Sequence, residues 1–132
     1  MPTENAARML IADDDPNLLD AYVLFFSAQG YDIQTAGDGV EALDAYRAWR
    51  PGVVVLDIQM PLMDGREVAR EIRRLQSTPF PLLVAATALA SPSEQAESIR
   101  SGFDHHLVKP IKLPLLLTTI ATGRQSGKDS AP

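Results

Sequence analysis

The chain contains no cysteine. Disulfides, thiolate metal sites and thiol catalysis are therefore excluded, and the absence fits a reducing compartment such as the cytoplasm. It also has no run approaching the ~18 consecutive apolar residues of a membrane helix. The opening residues MPTENAARMLIADDD lack a charged segment followed by a long apolar core, so no secretory signal is expected. Basic residues are in deficit, with 12 Lys and Arg against 17 Asp and Glu, for a net charge of −5. Direct nucleic-acid binding calls for clustered Lys and Arg and is not expected. There is no internal repeat.

What remains is an ordinary globular mixture: 132 residues, 45% hydrophobic and 22% charged. That length suits one domain whose core folds without staples. Met9 to Ala12 is a short apolar run entering three aspartates, which predicts a buried strand. Asp15-Pro16 opens a helix, with Asp as cap and Pro at the first helical position. Leu18, Leu19, Tyr22, Val23 and Phe26 form its inward stripe, and Gly30 ends it. Tyr31 to Ala36 alternates and predicts an edge strand. Val40 to Arg50 predicts a helix stopped by Pro51-Gly52, with Ala42, Leu43, Tyr46 and Trp49 on one face.

Val53-Val54-Val55-Leu56 has no polar break, as a central strand covered on both faces requires. It ends in Asp57. The loop IQMPLMDG leads to a third helix with Val68, Ile72 and Leu75 inward. Pro81 to Ala86 predicts a fourth strand ending at Thr87. Ser91-Pro92-Ser93-Glu94 is a capping box, and the mostly polar helix behind it is expected to face in through Ala96 and Ile99. His105 to Val108 predicts a fifth strand ending at Lys109-Pro110. Pro114 opens a last helix containing Leu115, Leu116, Leu117 and Ile120. Residues 1–7 are expected as a flexible start, 8–122 as the domain, and 123–132 as a disordered tail or linker stub.

Five strand–helix alternations with short links predict an α/β fold, a parallel sheet with helices on both faces. The flavodoxin-like doubly wound order 2-1-3-4-5 is expected. In such a sheet the functional crevice lies beyond the carboxyl ends of the strands at the switch point. Asp13-Asp14, Asp57, Thr87 and Lys109 all fall there. Three clustered carboxylates repel unless a cation sits among them. Mg²⁺ suits a few carboxylates and carbonyls and leaves room for a phosphate oxygen. Lys109 and Thr87 are suited to holding oxygens of a transferring phosphoryl group, and a carboxylate is a competent nucleophile for it.

The succession LIADDDPNLL, VVVLDIQMPLMDGREV, AAT and VKPI resembles the receiver domain of two-component response regulators, from Arg8 to about Ala121. The resemblance implies that Asp13 and Asp14 hold Mg²⁺, joined by Asp57 and the Gln59 main-chain carbonyl. It implies Asp57 as phosphoacceptor, Thr87 as a hydroxyl that moves toward the phosphoryl group, and Lys109 as its charge partner. It further implies a cis bond before Pro110, and a histidine kinase or histidine phosphotransfer domain as donor.

The resemblance has departures. At the position three before the lysine, often Tyr or Phe in the family, this chain has His106. Gln59 and Leu89 fall at positions that tune phosphoryl lifetime, and both are large here. His105-His106 is not expected to bind one metal, because adjacent strand residues point to opposite faces.

A turnover phosphatase would need a general acid and a substrate cap. The Asp-x-Asp of haloacid-dehalogenase phosphatases is absent, since the residues read Asp57-Ile58-Gln59. A partner-binding domain that takes no phosphate would not require the acidic cluster. No output domain is legible after Ala121, which fits either a single-domain regulator or the receiver of a longer protein such as a hybrid kinase. The Leu115–Leu117 run is expected in the core, with self-association through the last helix as its alternative.

Overall fold

A computed structural model describes residues 7–76 and 78–129, the side chains of residues 124–129 excepted. Ten elements alternate along the chain. They are β1 (Arg8–Ala12), α1 (Pro16–Ala28), β2 (Asp32–Ala36), α2 (Gly39–Trp49), β3 (Val53–Leu56), α3 (Gly65–Arg74), β4 (Leu82–Thr87), α4 (Pro92–Ser101), β5 (His105–Val108) and α5 (Leu113–Asp129). The sheet runs β2-β1-β3-β4-β5, and every adjacent pair is parallel. Ordered hydrogen bonding puts Leu10 opposite Val54 and Val54 opposite Leu83. This is the flavodoxin-like architecture.

Strand side chains alternate faces, so one sheet feeds two cores. Leu10, Val54, Leu56, Leu83 and Ala85 pack with Leu43, Tyr46, Val68 and Ile72 beneath α2 and α3. Met9, Ile11, Val53, Val55 and Val84 pack with Tyr22, Phe26, Leu116 and Ile120 beneath α1 and α5. The four residues of β3 are all fully or almost fully buried, as their unbroken apolar run requires.

Helix starts follow local chemistry. Asp15, Asp38, Asp64 and Ser91 each accept a backbone N–H from the first turn of the helix that follows. Arg50 takes the left-handed conformation at φ 51° where α2 stops. Gly102 does so at φ 116° where α4 stops.

Several expectations are corrected. Val23 is 36% exposed, because the inward face of α1 runs through Tyr22 and Phe26. In α4 neither Ala96 nor Ile99 faces in: both are exposed, and Ser98 and Ser101 are the buried residues. The helix phase is set by polar contacts to α3 rather than by its apolar residues. Of the leucine run, Leu116 is buried, Leu117 packs on the core edge and Leu115 is 55% exposed. The last helix reaches Asp129, so residues 123–129, expected as tail, are helical. Residues 1–6 of the expected flexible start and 130–132 of the expected tail lie outside the described residues. No helix among the described residues is long and apolar enough to cross a membrane.

Candidate functional site

The site is built where β1, β3, β4 and β5 end at one edge of the sheet. Asp13 follows β1 directly. Its N–H donates to the Ala36 carbonyl, and its Oδ1 accepts the Asp15 N–H at 3.0 Å. Asp57 follows β3. Its N–H donates to the Ala12 carbonyl, and its Oδ1 accepts the Gln59 N–H at 3.2 Å. Both carboxylates are buried, at 2% and 6% exposure. Gly65 explains why α3 can begin so close to them: a Cβ there would collide with the Asp57 carbonyl.

Lys109 bridges the two acids from the end of β5. Its Nζ donates to Asp13 Oδ2 at 2.7 Å and to Asp57 Oδ2 at 2.9 Å. Desolvation pulls the lysine toward neutrality, but the hydrogen bonds to Asp13 and Asp57 and their charges outweigh it. The net effect holds its pKa well above the ordinary lysine value, so the side chain is charged throughout the neutral range. The raised pKa gives a stabilising contribution that is present below ~10.4, the ordinary lysine value, and lost only as pH rises through the folded value. The peptide bond from Lys109 to Pro110 is cis, as the resemblance implied.

Asp14 joins the pair from the exposed side. Asp13, Asp14 and Asp57 each offer a carboxylate oxygen, all within 4.8 Å of one another. Three carboxylates against one ammonium leave an uncompensated negative charge that a hard divalent cation would balance. The donor set therefore fits Mg²⁺. The phenol of Tyr22, buried in α1 below this cluster, is pushed up to about 12, first by desolvation and then by the Asp13 charge.

Thr87 closes β4 and is fully buried. Its Oγ1 accepts the Leu89 N–H at 3.3 Å, and its carbonyl accepts the Lys109 N–H at 2.8 Å. The backbone thus ties Thr87 to the lysine, while no described hydrogen bond joins its hydroxyl to Asp57. Gln59 is exposed and Leu89 half-buried at the rim. His106 points away from the acids toward α4. Its Nδ1 lies 2.8 Å from Ser98 Oγ and its Nε2 2.7 Å from the Leu89 carbonyl.

All the acidic residues singled out from sequence and Lys109 converge, Thr87 stands beside them, and His106 belongs to a neighbouring polar network. Sequence reasoning missed two members of that network, Ser98 and Arg66. Arg66 donates to Glu94 Oε1 at 2.9 Å, to the Glu94 carbonyl at 2.8 Å, and to Ser98 Oγ at 3.3 Å. The available signal was a serine one helical turn beyond the capping-box Glu94, on the side facing α3.

An acidic pocket at the switch point of a five-stranded doubly wound sheet, with a lysine from the last strand, defines a CheY-like signalling domain. The family model described as "Response regulator receiver domain" matches residues 9–121, and the chain belongs to that family, the receivers of two-component systems. It is 40% identical over 126 residues to the response regulator MprA of Mycobacterium sp. (strain KMS), covering 95% of this chain and 54% of that protein. The chain thus spans about half the length of the curated relatives it matches.

Among solved structures, the receiver domain of the Francisella response regulator 1452 is 29% identical with a TM-score of 0.81, covering 87% of this chain and 93% of that one. The CheY-like receiver protein of Methanospirillum hungatei is 25% identical with a TM-score of 0.86, covering 96% and 99%. The CheX-CheY-BeF3-Mg+2 complex of Borrelia burgdorferi matches at 26% identity and a TM-score of 0.82, covering 89% of this chain and 88% of that one.

Proposed function

We propose that Asp57 accepts a phosphoryl group from a phosphohistidine on a histidine kinase or histidine phosphotransfer domain, and that this chain is a switch rather than a turnover enzyme. The observation that carries the reading is the single Lys109 ammonium shared between buried Asp13 and Asp57. A receiver in a complex with BeF3 and Mg²⁺ is among the similar structures, which supports the same chemistry here.

In the transfer, a carboxylate oxygen of Asp57 forms the new O–P bond as the N–P bond to the donor imidazole breaks. The departing nitrogen retains the electron pair. Lys109 stays charged and is placed to hold an oxygen of the transferring group, while the Thr87 hydroxyl is a donor for another. Asp13, Asp14, Asp57 and the Gln59 main-chain carbonyl would hold Mg²⁺, which supplies charge neutralisation for the phosphoryl oxygens. Hydrolysis of the acyl phosphate by water returns Asp57 to a carboxylate, and Gln59 and Leu89 stand at the rim through which that water must come.

The phosphorylated form carries close to two added negative charges and shifts the domain between two conformations, changing a partner-binding surface. Action in the cytoplasm, no direct nucleic-acid contact by this domain and pairing through the last helix belong to the same reading. The 55% exposure of Leu115 supports the last of these.

The test is intact-protein mass after incubation with acetyl phosphate and Mg²⁺. One phosphoryl group is expected on the wild-type chain, none without Mg²⁺ and none on Asp57→Asn. Uptake that persists in Asp57→Asn would mean a different nucleophile.

A further inference from the structure

Near the acidic pocket lies a second polar system that the phosphoryl chemistry does not use. It runs from the β4–α4 loop through β5 and α4 to α3. The Leu89 carbonyl meets His106 Nε2, His106 Nδ1 meets Ser98 Oγ, and Ser98 Oγ meets the Arg66 guanidinium, which also grips Glu94. Ser98 is fully buried and Arg66 largely so.

The protons in this chain can be assigned from chemistry alone. A carbonyl only accepts, so Nε2 carries the hydrogen toward Leu89. A guanidinium only donates, so Ser98 Oγ accepts from Arg66 and is left with its own proton to give to Nδ1. Every group is satisfied when His106 is neutral with the proton on Nε2. A second proton, on Nδ1, would have to share the Ser98 oxygen with Arg66 and would set two cations across one hydroxyl.

The loop end of this chain touches the switch hydroxyl. The Leu89 N–H is held by Thr87 Oγ1 and the Leu89 carbonyl by His106. Leu89 is therefore pinned on both sides of one residue. If Thr87 moves toward a phosphoryl group on Asp57, Leu89 must either follow it and give up the bond to His106 or stay and give up the bond to Thr87.

We propose that His106 is a positioning residue, a hydrogen-bonded latch that ties the Thr87–Leu89 loop through Ser98 to Arg66 and biases the domain toward its unphosphorylated conformation. A phenyl ring at this position fills space but makes neither bond, so the latch is a property of this chain's histidine.

The charged and titratable groups around the ring come from each packed element. Arg66 and Arg70 lie on α3, the latter bonded to Ser101. Glu94 and Glu97 lie on α4, paired with Arg66 and Arg100. His105, next along β5, lies on the other face against α5, where a Cβ on Gly123 would come within 2.9 Å of its Nε2.

The inference rests on Asp57 as phosphoacceptor, and its test separates the two. The first measurement is the ¹⁵N and ¹³C signature of the His106 ring in the unphosphorylated wild-type protein at pH 8. The neutral Nε2–H form with Nδ1 as acceptor is expected. The Nδ1–H form or rapid exchange between the two overturns the latch, whatever Asp57 does.

The second is affinity for beryllofluoride with Mg²⁺, the phosphoryl mimic, in wild type, Ser98→Ala and His106→Phe. At pH 8 each variant should bind about five-fold more tightly, the equivalent of one ordinary hydrogen bond. Ser98→Ala removes the anchor that joins the ring to Arg66 while keeping the imidazole, and so guards against a packing defect in His106→Phe. Equal affinities at pH 8 overturn the latch. Failure of all three proteins to bind beryllofluoride overturns the phosphoacceptor reading and leaves the latch to be decided by the ring spectrum.

Discussion

Helices α3 and α4 have the same length and similar beginnings, yet they are fastened to the domain in opposite ways. Each has ten residues, a side-chain cap and a glutamate in the first turn. Helix α3 buries Val68, Ala69 and Ile72 against the sheet. Helix α4 buries Ser98 and Ser101 and leaves Ile99 half exposed. Its ties run to α3 through arginines: Arg66 to Glu94 and Ser98, and Arg70 to Ser101. Apolar contact is non-directional and falls away only when the helix leaves. Hydrogen bonds have direction and can be exchanged for others at small net cost. The fold thus places a rigidly seated helix beside one that can re-seat, and the adjustable one flanks the Thr87 loop.

The comparison breaks most directly at Ile72. Shortening Ile72→Ala leaves a cavity under α3 and should cost ~2–5 kcal/mol of unfolding free energy. Urea titration followed by circular dichroism measures it. A loss below ~1 kcal/mol would mean that α3 is not seated by its core face, and the contrast with α4 would fail.

A smaller effect is expected at Arg66. Arg66→Gln removes the ion pair to Glu94 and weakens the bonds to Ser98, for ~1–2 kcal/mol. The sharper reading is local: amide exchange should quicken along α4 while α3 stays protected, because α4 loses its main polar tie and α3 keeps Val68 and Ile72. Equal quickening of both helices would show that they open as one unit.

The fold was almost entirely legible, and the reason is visible in particular segments. Val53–Leu56 is apolar without interruption and Asp57 follows at once, which fixes both a central strand and the residue at its functional end. Asp64-Gly65 and Ser91-Pro92 mark helix starts through chemistry local to the chain. The pocket followed because topology alone carries Asp13, Asp57 and Lys109 to one edge of the sheet. The inward face of α4 was not legible. Ala96 and Ile99 are its apolar residues, and periodicity assigns them inward by default. The actual phase is set by Arg66 and Arg70, 32 and 31 residues before Ser98 and Ser101, whose preference for those serines has no local signature. The partners of His106, a residue the sequence did single out, were missed for the same cause: they come from a loop and a helix that the sequence does not place beside it. The continuation of the last helix through residues 123–129 had no apolar stripe to announce it.

The smallest predicted effect is the most discriminating for α4. Ile99 is 52% exposed, so replacing it should remove little buried apolar surface. Ile99→Ser is expected to change unfolding free energy by no more than ~0.5 kcal/mol, the usual range for a surface site. The paired change Ser98→Ala tests the other side of the same helix. Alanine fits the site without overpacking but offers neither an acceptor to Arg66 nor a donor to His106, so it should cost ~1–3 kcal/mol by stranding both. If the helix were seated by hydrophobic burial, the order would reverse, with Ile99→Ser the damaging change and Ser98→Ala neutral or stabilising. Urea midpoints of the two variants, measured side by side at pH 8, decide between a helix held by its one large apolar residue and a helix held by a serine.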